Sequence, residues 1–158
     1  VTGWRGALAC AVALYLAGAA QESLARWTLF GGHFDFLLLV LSVLCVFAER
    51  RQGAVLGFFA GWLYGALDGA NLWQYIVSRT LGGFLIAWVA SSGIERRLLS
   101  ALAAGVLTVL LCQVILMFLA PPPSILGFLG DTIRTAAYNG ASAMLLYACF
   151  KKILGSRR

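Results

Sequence analysis

The chain has 158 residues, 61% of them hydrophobic and 11% charged, with a mean hydropathy of +0.89. A soluble domain is about 45–50% apolar and about 25% charged; this excess exceeds what one soluble core can hide, so the class expected is an integral membrane protein. The net charge of +6 lies in short clusters between apolar runs, which argues against nucleic-acid binding, because that needs a continuous basic surface.

The first span is expected over about residues 6–25, behind Arg5. Ala17-Gly18-Ala19 also fits the small-residue pattern of a secretory cleavage site, but the apolar runs downstream favour a chain that stays in the membrane. Glu22, Arg26, Trp27, His33 and Asp35 form a polar connection to a short second span over about residues 36–48, closed by Glu49-Arg50-Arg51-Gln52. His33 has no partner at ligand spacing and reads as an interfacial histidine.

The third span, about residues 53–67, is the most distinctive. Gly53, Gly57, Gly61, Gly65 and Gly69 recur at every fourth position with bulky residues between. Four-residue spacing stacks positions on one helix face, so this face is a groove with no side chains. In water each interior glycine costs about 1 kcal/mol relative to alanine; in lipid, small residues at this spacing let helix backbones pack closely. Two occupants are open: another helix of the same bundle, or the helix of a partner protein.

A short turn, Asp68-Gly69-Ala70-Asn71, leads through Trp73 and Tyr75 to a fourth span over about residues 75–92, which carries Arg79 and Gly82-Gly83. Asp68 and Arg79 are expected to form a salt bridge locking this hairpin, since an ionisable group at membrane depth needs a partner; a proton or ion relay would want a second carboxylate in the spans. The fifth span, about residues 98–120, includes Gln113 and is long enough to cross about 30 Å of hydrocarbon. Pro121-Pro122-Pro123 ends it. Residues 124–130, with Ser124, Ile125, Leu126 and Phe128, are apolar but too short to cross, and are expected as an interfacial segment. The last span is about residues 135–150, with Asn139 inside. Gln113 and Asn139 are expected to hydrogen-bond between helices.

The reading is thus one transmembrane domain, all-α, with six crossings. Arg5, Arg50, Arg51, Arg96, Arg97, Lys151, Lys152, Arg157 and Arg158 fall on alternate connections, against Arg26 and Arg134 on the others. The positive-inside rule then puts both termini in the cytoplasm.

Catalytic and cofactor signals are missing. Cys10, Cys45, Cys112 and Cys149 each lie in an apolar run, with neither CxxC spacing nor a histidine beside them, so no zinc site or disulfide framework is indicated. Ser78, Ser91 and Ser92 have no His/Asp context, the phosphate-binding motif GxxxxGK[ST] does not occur, and no metal or cofactor is expected.

The inner Arg50-Arg51 loop, the glycine series ending in Leu67-Asp68, Leu81-Gly82-Gly83-Phe84-Leu85, Ala137-Tyr138-Asn139-Gly140, Leu145-Leu146-Tyr147 and Lys151-Lys152 together resemble the rod shape-determining protein MreD family, over about residues 36–152. The resemblance implies a non-enzymatic scaffold in the bacterial inner membrane. Its partner would be an MreC-like single-span protein, with the MreB filament and the RodA–transpeptidase synthase in the same machinery, surrounded by membrane lipids. It also implies a fold similar to the six-helix substrate-binding subunits of energy-coupling-factor vitamin transporters, which supplies the alternative function. On this reading the glycine groove receives the MreC helix, and Ser124–Gly130 touches parts of a partner outside the membrane.

Overall fold

A computed structural model of the chain describes residues 4–24, 28–29, 32–92 and 98–154. Arg26, Arg96, Arg97, Arg157 and Arg158, used above for orientation, lie outside the described residues. The described residues form six helices: α1 (Trp4–Leu24), α2 (Phe36–Phe47), α3 (Arg50–Asp68), α4 (Leu72–Ser91), α5 (Leu98–Leu119) and α6 (Ile125–Leu154). Between α1 and α2 runs a small antiparallel pair, β1 (Thr28–Leu29) and β2 (Gly32–His33), with Thr28 opposite His33. That ribbon was not expected from the sequence, because two-residue strands leave no alternating pattern.

The bundle is built around α2, which packs against each of the other five helices. Its sequence, Phe-Leu-Leu-Leu-Val-Leu-Ser-Val-Leu-Cys-Val-Phe, has no polar face, as befits a helix covered on all sides. Leu37, Leu38, Leu41, Val43, Leu44 and Cys45 are fully or almost fully buried. At 12 residues α2 is much shorter than the roughly 20 a lone spanning helix needs. Neighbouring helices surround it, so its length need not match a bilayer. Asp35 starts it: the Leu38 N–H donates to Asp35 Oδ1 at 2.9 Å.

Helix α3 begins at Arg50, a turn before the expected Gly53. The Glu49 N–H donates to Gln52 Oε1 (3.2 Å) in a capping box that draws the charged residues into the first turn. The helix ends at Gly69, whose φ of +69° is left-handed and whose N–H donates to the Gly65 carbonyl at 3.1 Å.

The separate interfacial segment expected at 124–130 is not formed. The prolines end α5, but Ser124 then accepts the Gly127 N–H at its hydroxyl (3.3 Å) and the Phe128 N–H at its carbonyl (3.1 Å). With no breaker between Gly130 and Thr135, the stretch becomes the first turns of α6, a helix of 30 residues.

By length and composition, one described helix, α5, is long and apolar enough to cross a membrane. α2 is too short, and α3, α4 and α6 carry Arg50, Arg51, Asp68, Arg79, Asp131 and Arg134.

Candidate functional site: a buried polar layer at one end of the bundle

The glycine face of α3 is occupied by α4. A side chain at Gly61 would come within 2.6 Å of the Tyr75 carbonyl, one at Gly65 within 2.8 Å of Leu72 Cα, and one at Gly53 within 2.5 Å of the Gly83 carbonyl. At Gly57 it would run into the backbone of Arg79 and Thr80. Only a bare backbone fits at these four positions. The groove is therefore filled from within the chain, and a partner helix cannot enter it. Gly69, grouped with this face on spacing alone, has no neighbour within 4 Å of its missing side chain and serves as the left-handed helix end. A second close approach joins α5 to α6, where a side chain at Gly105 would come within 2.9 Å of Gly140 Cα.

Close packing of α3 on α4 carries Arg79 into the interior, where it is fully buried. A buried guanidinium needs an anion and hydrogen-bond acceptors, or its desolvation is uncompensated. The anion is Asp35, not Asp68: Arg79 Nη2 lies 3.6 Å from Asp35 Oδ2. Sequence proximity favoured Asp68, but that residue is exposed at the end of α3. Arg79 Nη1 donates to Ser78 Oγ at 3.1 Å. The rings of Tyr64 and Tyr75 flank the guanidinium carbon at 4.3 and 4.7 Å, adding cation–π attraction at a desolvated site.

Asp35 thus has two tasks: its Oδ1 caps α2 and its Oδ2 faces Arg79. Its carbonyl has a third partner, Asn139 of α6, whose Nδ2 donates at 2.9 Å. One turn away, Thr135 Oγ1 donates to the His33 carbonyl at 3.0 Å, and across the layer Gln21 Oε1 accepts the Phe36 N–H at 2.8 Å. The layer ties five helices and the ribbon together at one end of the bundle. Gln113 has no part in it; its Oε1 is buried with no hydrogen-bond partner. The same holds for Gln74 Oε1, Asn139 Oδ1 and Arg79 Nε.

Ser124, Ile125, Leu126 and Phe128 are not brought to this network. Ile125 and Leu126 point outward, the latter 85% exposed. Sequence reading missed Asp35 and Tyr64. Asp35 stood in the polar connection, although an aspartate directly before an apolar run is a helix-cap signal; Tyr64 had no separate signal within the glycine series.

As chemistry, the layer sets a buried guanidinium against a buried carboxylate. The Ser78 hydroxyl accepts from Arg79, so it faces a cation and not a base. Among the described residues, no group of three His, Cys, Asp or Glu side chains is placed to hold a metal ion. Cys10, Cys45 and Cys112 are buried free thiols.

Fold and site together define an all-α six-helix bundle whose apolar core holds a buried polar layer at one end. In comparisons with known proteins, no family model, curated protein or solved structure matches the chain.

Proposed function

We propose that the chain is a multi-pass protein of the bacterial inner membrane, with both termini cytoplasmic, acting as a non-enzymatic scaffold of the cell-elongation machinery. It would hold an MreC-like single-span partner alongside the MreB filament and the RodA–transpeptidase pair.

The observation that carries this reading is a buried ion pair inside a bundle that turns many large apolar side chains outward. Asp35, Ser42, Ser78, Arg79, Thr108 and Asn139 are buried, whereas Phe118, Leu126, Leu145 and Leu99 are more than 70% exposed. In water that arrangement leaves large apolar surface unprotected; in lipid it is the favourable one, because ionisable groups turn to the bundle interior. A bundle whose charged core is tied to itself has its outer faces left for association. With the glycine groove closed, the docking surfaces on this reading are outward residues such as Phe58, Phe118 and the Ile125–Leu126 turn.

A second reading, the substrate-binding subunit of an energy-coupling-factor type vitamin transporter, is favoured by the unpartnered Gln74 Oε1, Asn139 Oδ1 and Arg79 Nε. These are spare hydrogen-bonding groups in the layer or beside it. Purification from a bacterial membrane in mild detergent, followed by mass spectrometry of proteins and small molecules, separates the two. A single-span protein at stoichiometric amount supports the scaffold. A tightly held small molecule supports the transporter subunit. Recovery of the chain in the soluble fraction overturns both.

A further inference from the structure

Helices α1 and α3 touch at one end and part at the other. Near their C-terminal ends a side chain at Gly18 would stand 3.8 Å from Leu67 Cδ1, ordinary contact distance. Towards their N-terminal ends the helices leave an open wedge of about 550 Å³, a volume in the range of small-molecule sites. Ala7, Cys10 and Ala11 keep the α1 wall low, and Leu56, Phe59 and Leu63 form much of the α3 wall. Among the described lining residues the charged side chain is Arg51, in the first turn of α3. It is exposed, and no described acid pairs with it. Its neighbour Arg50 is engaged over the Trp88 ring at 5.5 Å, and the Glu49 N–H is tied to Gln52.

Apart from Gln52, the described lining is thus largely apolar, with the exposed Arg51 guanidinium at the end assigned to the cytoplasmic side. Its shape and charge fit an amphiphile with a long apolar chain and an anionic head, and guanidinium is well suited to phosphate. We propose that the wedge between α1 and α3 binds an anionic phospholipid of the inner leaflet, one acyl chain lying between the helices and the phosphate on Arg51. The proposal rests on the membrane reading above.

The test is native mass spectrometry of the full chain released from vesicles of equal parts phosphatidylglycerol and phosphatidylcholine. One basic residue at an anionic surface corresponds to about a five-fold preference, so bound phosphatidylglycerol should exceed phosphatidylcholine by about that factor. Arg51→Gln should bring the two lipids level, and Arg51→Lys should restore most of the preference. Ala11→Phe, at an exposed position that tolerates bulk, should fill the wedge and remove the retained lipid of either kind. Leu145→Phe, on α6, should leave the preference unchanged. A reconstituted wild-type chain with no preference overturns the lipid site alone, as does a preference that survives both Arg51→Gln and Ala11→Phe. A photocrosslinker at Ala11 that captures a protein helix in place of lipid also overturns it. Failure of the chain to enter vesicles at all overturns the membrane reading with it.

Discussion

Gly57 of α3 packs directly on the backbone of Arg79 in α4, with no room for even a β-carbon between them. The glycine face and the buried charge are therefore one device. The bare ridge lets α4 come close enough for its arginine to reach Asp35, and the ion pair holds the layer that α4 has entered.

Widening that contact should undo both. Gly57→Ala is expected to destabilise the bundle by about 1–3 kcal/mol, the usual range for overpacking, and Gly57→Leu should prevent a monodisperse protein from being recovered. Gly69 should behave differently, because its requirement is backbone sign and not space. Gly69→Asn should cost little and Gly69→Val considerably more, since asparagine tolerates the left-handed region and β-branched residues do not. Thermal unfolding in detergent, followed by tryptophan fluorescence, checks the order.

The choice of Asp35 over Asp68 as the Arg79 partner is tested by a double-mutant cycle. Asp35→Asn should cost about 3–5 kcal/mol, because it leaves a buried guanidinium without its anion. Arg79→Met in the same chain should recover much of that loss, because it removes the charge that Asp35→Asn leaves buried and unpaired. Asp68→Asn should change stability little and show no coupling to Arg79→Met. Coupling between positions 68 and 79 that exceeds that between 35 and 79 would contradict the assignment.

Asn139 joins α6 to the start of α2 through one hydrogen bond to the Asp35 carbonyl. Asn139→Leu is expected to cost about 0.6–2 kcal/mol, and Gln113→Leu less than that, because the Gln113 carbonyl oxygen already lacks a partner. Equal losses from the two substitutions would speak against an organised layer at the α2 end.

The direction of each outer face is also measurable. Spin labels at Phe118 and Leu145 in reconstituted protein should be accessible to oxygen dissolved in lipid, and labels at Val43 and Leu44 should be shielded, given exposures of 76%, 76%, 0% and 1%.

Six helices could be counted in the sequence because each apolar run is bounded by local chemistry: Asp35 and Glu49 at helix starts, Gly69 at a helix end, Pro121 to Pro123 after α5. Those signals act over a few residues and survive in one dimension. The glycine series likewise announced a close contact, since spacing alone puts four of its members on one face. What covers that face is a different matter. Whether α4 or a foreign helix fills it depends on how the hairpin folds back, and no local signal carries that information. The Arg79 partner was hidden for the same reason: Asp68 is near along the chain, whereas Asp35 comes within reach only when α2 sits at the centre of the bundle. Local steric and capping preferences write themselves into sequence, but a buried charge takes whichever anion the packed helices bring to it.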